Sequence, residues 1–248
     1  MLFTEFGSKE NPPMLLLHGM MQDWHTEYEM LKGLEEHYRL IIPAQDGFYD
    51  GSGDFTSFAD QARQIEEYVQ ANHGGKVIGA YGCSQGGLML TELLTRNKID
   101  LGAVIMDGCY VAHQGKIAGR VTYKMFCKFK NTGKFPALIM VMMKLMGLKA
   151  EDLGMMDSLY MGASDETVKR NFMENYTYRT RPEIAQNETM VHMWCGSKEP
   201  YAIKSHKELK TYLKNYKEKI MEGLGHGEFL MKHSEECCEK IHATIQGM

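Results

Sequence analysis

The sequence predicts an α/β fold: a mainly parallel sheet with helices on both faces and a helical insertion in its second half. Three observations lead there. Short apolar runs alternate with segments of helical period along most of the 248 residues. The runs are nearly continuous in apolar character, as strands covered on both faces are. The alternation then fails between about 110 and 187, where helical, Met-rich stretches replace any strand signal.

Met14-Leu15-Leu16-Leu17, placed after Pro12-Pro13 and ending at His18-Gly19, reads as a buried strand, and Arg39-Leu40-Ile41-Ile42 reads as another. Ser57-x-x-Asp60 resembles a capping box, after which Phe58, Ala62, Ile65 and Val69 share one helical face. A strand over 76–81 precedes a helix over about 85–96 that carries Leu90, Leu93 and Leu94. Ala103-Val104-Ile105-Met106 gives the next strand, and Thr189 to Trp194 the one after the insertion. Leu209, Tyr212, Leu213 and Tyr216 form a helical stripe after Pro200, and Lys219-Ile220-Met221 closes the set. The expected division is a core of residues 1–109 and 188–248 with an insertion over 110–187.

At 44% hydrophobic and 24% charged residues the composition is globular, with apolar mass for a sizeable core. A net charge of −4 argues against a chain-wide nucleic-acid surface. The first residues, MLFTEFGSKENPP, lack the basic start and apolar stretch of a secretory signal, and no apolar run approaches the ~18 residues of a membrane span. Six cysteines without a CxxC pair suit a reduced, cytoplasmic setting.

The chemistry centres on Gly82-Cys83-Ser84-Gln85-Gly86, which fits G-x-S-x-G and lies between a predicted strand and a predicted helix. Gly82 and Gly86 allow a tight turn and close strand–helix approach, and the turn presents the Ser84 hydroxyl. The N–H groups at the start of the following helix offer positive potential to an oxyanion, with Gln85 as the first donor. The loop after the first strand, His18-Gly19-Met20, supplies Met20 as the second donor, and His18 is expected to orient that loop. A serine hydroxyl needs a base. His226 in Gly223-Leu224-Gly225-His226-Gly227 is the candidate, since it follows the last strand in a loop free to carry function, whereas His192 sits inside a strand and reads as a core residue. Glu199 in Gly196-Ser197-Lys198-Glu199-Pro200 is the candidate acid that orients the base, and Asp107, after the strand 103–106, is its rival.

With LLLHG, GCSQGG, GSKEP and GLGHG in this order, the chain resembles the α/β-hydrolase superfamily over about 13–109 and 188–246. The resemblance implies a serine hydrolase with a Ser84–His226–Glu199 triad, no cofactor, and a helical cap formed by the insertion. In relatives the acid is usually Asp in a G-x-x-D-P context, so Glu199 is a departure. A serine at position 84 also sets the chain apart from the epoxide hydrolases and haloalkane dehalogenases of this fold, which use an aspartate there.

Two features of the insertion bear on substrate. Lys116, Arg120, Lys124 and Lys128 recur every fourth residue beside Ile117, Val121 and Met125, a basic amphipathic helix that could attract an anionic substrate or membrane surface. Phe135 to Met143, followed by Leu145, Met146 and Leu148, is apolar nearly all round and rich in methionine, which suits a pocket for a hydrophobic acyl or alkyl group. HExxH, P-loop and G-x-G-x-x-G motifs are lacking, and His233, Cys237, Cys238 and His242 imply no complete ligand set, so no metal is expected. The expectation is a carboxylic-ester hydrolase on a small hydrophobic substrate. Thioester, amide or carbon–carbon bond cleavage by the same triad, or a small-ligand binding protein of the same fold, are the alternatives.

Overall fold

The computed structural model describes residues 1–20, 22–132 and 162–247. Seven strands form one sheet in the order β1-β3-β2-β4-β5-β6-β7. They are β1 (Leu2–Phe6), β2 (Pro13–Leu17), β3 (Arg39–Ala44), β4 (Gly79–Cys83), β5 (Ala103–Asp107), β6 (Val191–Gly196) and β7 (Tyr216–Met221). All neighbours pair in parallel except β1, which lies antiparallel on β3 at the edge. Residues of alternate parity point to opposite faces, so each of the strands β2 to β6 feeds two cores. Leu15, Leu17, Ile41, Ala80, Val104, Met106, Val191 and Met193 pack on one side against helices α2 (Phe58–His73) and α3 (Gln85–Arg96). Met14, Leu16, Leu40, Ile42, Tyr81, Ile105 and Trp194 pack on the other against α1 (Trp24–Leu31) and the last helix of the chain (Ser234–Ile245).

Local chemistry sets the helix ends. The Ser57 hydroxyl accepts the Asp60 N–H at the start of α2, and Gly74 closes that helix at φ +61. The connection from β5 to β6 carries α4 (Lys116–Thr132) and α5 (Asp165–Thr177), the latter capped by Ser164 accepting from the Thr167 N–H. After β6 come α6 (Pro200–Leu209), then β7, the short α7 (Glu228–Lys232) and α8 (Ser234–Ile245).

Several expectations need correction. β1 carries no apolar run and was not foreseen: its LFTEF sequence makes a half-buried edge strand. β4 begins at Gly79 rather than Lys76, because Val77 and Ile78 make isolated bonds to Asp100, Pro13 and Ala103 instead of a ladder. The stripe Leu209, Tyr212, Leu213, Tyr216 is not one helix. α6 ends at Leu209, tight turns follow in which the N–H groups of Thr211 and Tyr212 reach back three residues, and Tyr216 opens β7. β7 is exposed over most of its length, an edge strand rather than one covered on both faces. His192 is half-buried beside Lys217 and Trp194 in a surface hollow, not a core histidine.

Candidate active site

The strand order reverses between β2 and β4, and at such a switch point the loops leaving the strands' carboxyl ends diverge and open a crevice. Ser84 stands there, directly after β4. Its backbone is held at φ +53, ψ −113, a strained conformation for a residue with a side chain. The Ser84 N–H donates to the Asp107 carbonyl at 2.7 Å, locking the turn to β5. Glycine is required on both sides of it. A Cβ at Gly82 would come within 2.5 Å of the Gly86 carbonyl carbon, and one at Gly86 within 1.9 Å of the Leu17 carbonyl oxygen. Serine ordinarily caps the helix it precedes, yet at the start of α3 the Ser84 hydroxyl makes no capping bond. It lies 3.0 Å from His226 Nε2 instead.

His226 arrives on the loop after β7. Gly223 at φ +79 and Gly227 at φ +65 shape this loop. It crosses the end of β6 so closely that a Cβ at Gly196 would sit 2.2 Å from the Leu224 carbonyl oxygen. That crossing brings His226 Nδ1 within 2.6 Å of Glu199 Oε2. Glu199 immediately precedes Pro200 at the start of α6 without a side-chain capping bond and is buried, with its other oxygen accepting the Gly196 N–H at 2.7 Å. The structure therefore joins Ser84, His226 and Glu199 in one line.

Asp107, the rival acid, has no hydrogen bond to His226. Its Oδ2 accepts from the Tyr81 hydroxyl at 3.0 Å. Burial, reinforced by repulsion from Glu199, pushes the Asp107 carboxyl up to about 7. For Glu199, burial again opposes charge, but the His226 ring and the Gly196 N–H outweigh it and hold the carboxyl below its usual range. A third carboxyl, Glu27 of α1, is fully buried, has no hydrogen-bond partner for either oxygen, and is pushed up to about 8 by burial and by Asp107. Three carboxyls in one region are thus separated by environment, and Glu199 is the one kept ionised beside the imidazole.

The Gln85 N–H, at the first residue of α3, has no intrahelical acceptor. The Met20 N–H has none among the described residues, while the neighbouring Gly19 N–H donates to Gln22 Oε1 at 3.0 Å and fixes the loop. Met20, Ser84 and Gln85 line the same cavity. His18 is buried, kept neutral by burial, and bonded through Nδ1 to the Gly19 carbonyl at 3.0 Å, which places it behind the loop rather than at the nucleophile.

The structure adds residues that the motifs did not single out. The Tyr110 ring stacks on His226 with centroids 4.8 Å apart, and its hydroxyl lies 2.9 Å from His226 Nδ1 and donates to Glu199 Oε2 at 3.4 Å. The Gln85 side chain is part of a buried amide row: Asn175 Nδ2 donates to Gln85 Oε1 at 2.7 Å, and Gln85 Nε2 donates to Gln45 Oε1 at 2.6 Å. Asn175 belongs to α5, so the row ties the insertion to the turn that bears Ser84. A tyrosine hydroxyl just beyond the carboxyl end of β5 was a usable signal for Tyr110; the amide row had none, because Gln45, Gln85 and Asn175 are remote in sequence.

Above Ser84 lies a cavity of about 380 Å³, lined by Leu88 of α3, Ala118, Val121 and Thr122 of α4, Asn175 and Tyr176 of α5, and Tyr110 and Tyr201 among others. No charged side chain lines it among the described residues. The Met-rich stretch from Phe135 to Leu148 lies outside the described residues. Among the described residues no cluster of metal-ligating side chains is found. Cys237 and Cys238 are buried in the core, and His242 bonds Tyr38 and stacks on His37.

A family model described as the alpha/beta hydrolase fold matches residues 12–117. No curated protein matches the chain. Among solved structures, an alpha/beta hydrolase family protein from Desulfitobacterium hafniense superposes with TM-score 0.83 at 20% identity, covering 98% of this chain and all of that one. An esterase from Exiguobacterium antarcticum gives TM-score 0.79 at 17% identity over 98% and 94% of the two chains. A thermophilic esterase from Thermogutta terrifontis gives 0.76 at 15% over 99% and 93%.

Proposed function

We propose that this chain, which has the α/β-hydrolase fold, is a serine hydrolase that cleaves carboxylic esters bearing a hydrophobic acyl or alkyl group. The observation that carries the reading is the continuous Ser84–His226–Glu199 line, with contacts of 3.0 and 2.6 Å, beneath a largely apolar cavity.

Ser84 Oγ passes its proton to His226 Nε2 as it attacks the acyl carbon, and the ionised Glu199 holds His226 Nδ1–H and stabilises the imidazolium. The carbonyl oxygen gains charge as the tetrahedral adduct forms and is held by the N–H groups of Gln85 and Met20. His226 then gives its proton to the departing alcohol, leaving an acyl-enzyme, and water activated by His226 releases the acid by the same path.

Residues 110–187 act as a cap in this reading: α4 and α5 roof the cavity. The lack of charge among the described lining residues favours a neutral substrate, and Leu88, Ala118, Val121 and the tyrosine rings favour an apolar one. The esterases among the structural neighbours agree with this choice. The composition and the cysteines, all six of which are free and five buried, support a reduced, cytoplasmic setting.

The test is hydrolysis of p-nitrophenyl esters from acetyl to dodecanoyl by wild type and Ser84→Ala. Turnover by the wild type, reduced by on the order of 10⁴-fold or more in the variant, supports Ser84 as nucleophile. Absence of turnover at every chain length, together with no labelling of Ser84 by a fluorophosphonate, overturns the reading and leaves a small-ligand binding protein.

A further inference from the structure

We infer that the outer face of α4 is a docking surface for an anionic lipid bilayer, placed so that the catalytic cavity opens beside the membrane. At ~100° per residue, Lys116, Arg120, Lys124, Lys128, Ile117 and Val121 fall within an arc of roughly 140°. All six are exposed, Ile117 at 79% and Val121 at 46%. No acidic residue occurs on the helix, in a chain whose net charge is −4. Lys116, Arg120 and Lys124 have no carboxylate within ion-pair distance among the described residues.

Two features separate this face from an ordinary solvated one. Lys116 opens the helix, where the backbone dipole disfavours positive charge, so helix stability does not explain it. Bulky aliphatic groups stand between the charges, which is the arrangement of a helix lying in a lipid interface: lysine and arginine meet the headgroups while Ile117 and Val121 reach the acyl boundary. A soluble anionic ligand would have no use for Ile117.

The position matters as much as the composition. The opposite side of α4 packs on α5 through Phe126 and Phe172, whose ring centroids lie 4.6 Å apart. Ala118 and Thr122 line the cavity, with Val121 between cavity and outer face. Tyr201, 54% exposed, lines the same cavity. Docking through α4 would therefore set the cavity against the lipid surface that holds an apolar ester. The surface itself does not depend on the serine hydrolase reading.

The experiment is co-sedimentation of the full chain with vesicles of phosphatidylcholine alone and of phosphatidylcholine with phosphatidylglycerol. Wild type and Ser84→Ala should bind the acidic vesicles at least about tenfold more tightly than the neutral ones, and the difference should shrink in ~1 M salt. A triple variant, Lys116→Glu with Arg120→Glu and Lys124→Glu, should lose that binding. Ile117→Gln should weaken it severalfold at unchanged charge. Both variants should melt like wild type and hydrolyse a soluble short-chain ester at the wild-type rate. Equal binding to the two vesicle types, or wild-type binding by the triple variant, overturns the inference. So does unaltered binding by Ile117→Gln, which would mean that charge alone holds the vesicle surface and no aliphatic group enters it. Docking without ester hydrolysis would refute only the esterase reading.

Discussion

Glu27 offers a prediction whose size follows from the structure. The residue sits in α1, fully buried, with neither carboxylate oxygen hydrogen-bonded and Asp107 adding repulsion. Burial of an unpartnered carboxylate is costly enough that the group stays protonated in the fold, up to about pH 8, against 4.5 in a solvated reference. Between those values the unfolded chain has released a proton that the folded chain retains. Stability must therefore fall as pH rises across that window, and flatten above it. At about 1.4 kcal/mol per pH unit, the interval amounts to about 5 kcal/mol, a large share of the ~5–15 kcal/mol that an ordinary domain has. Glu27→Gln keeps the shape and cannot ionise. Urea denaturation at pH 5, 7 and 9, followed by the fluorescence of Trp24 and Trp194, measures the effect. The variant should match wild type within ~1 kcal/mol at pH 5 and exceed it by several kcal/mol at pH 9, with unchanged denaturant slope. Parallel pH profiles for the two proteins would refute the reasoning, since they would mean that Glu27 ionises in the fold without penalty.

Three further outcomes follow from the site. Glu199→Gln should cut kcat by roughly 10³–10⁴-fold because the amide no longer stabilises the imidazolium, while Asp107→Asn, still able to accept from Tyr81, should leave kcat within about threefold; the reverse pattern in ester kinetics would reassign the acid. Gly86→Ala should prevent stable folding or abolish fluorophosphonate labelling, because its Cβ would overlap the Leu17 carbonyl oxygen at 1.9 Å; a wild-type melting curve with normal labelling would contradict it. Asn175→Leu should lower kcat more than it raises KM, since Asn175 holds the side chain of Gln85, the residue whose backbone N–H is the proposed oxyanion donor. Combined with Gln85→Leu it should show coupling of about 0.5–3 kcal/mol in a double-mutant cycle, and strict additivity would remove Asn175 from that role.

The parts of this fold that could be read from sequence are those in which a local pattern and its structural cause coincide. Parallel strands leave apolar runs because both faces are covered, and Leu15 to Leu17, Ile41 and Val104 were visible for that reason. Ser57 announces α2 because its hydroxyl does the capping. The elbow was legible through Gly82 and Gly86, whose lack of a side chain the close strand–helix approach demands. β1 and β7 lie at the two edges of the sheet, where one side of the strand meets solvent and polar residues are tolerated, so their LFTEF and YKEKIM sequences blur the pattern. The stripe from Leu209 to Tyr216 misled because Leu209 and Leu213 do bury at helical spacing, although the chain between them turns tightly and leaves the helix.

The same distinction explains what was readable in the site. Ser84, Glu199 and His226 each sit in a loop flanked by residues whose backbone needs are local: glycines at 82 and 86, Pro200 at the first turn of α6, glycines at 225 and 227. Their identities could be proposed one loop at a time. The choice between Glu199 and Asp107 could not, because each carboxyl stands at or just after the carboxyl end of a strand, where an acid would serve. It turns on which one the loop after β7 reaches, and on a contrast in solvation that exists only after packing. The crossing of that loop over Gly196 sets Glu199 at 2.6 Å from the imidazole, where it stays charged, and leaves Asp107 with Tyr81, protonated up to about pH 7. Gly108 tightens the arrangement: a Cβ there would lie 2.9 Å from Glu199 Oε2 and 3.0 Å from His226 Nδ1. The residue after Asp107 thus makes room for the pair that Asp107 itself does not join, and no reading of one loop in isolation could have found that dependence.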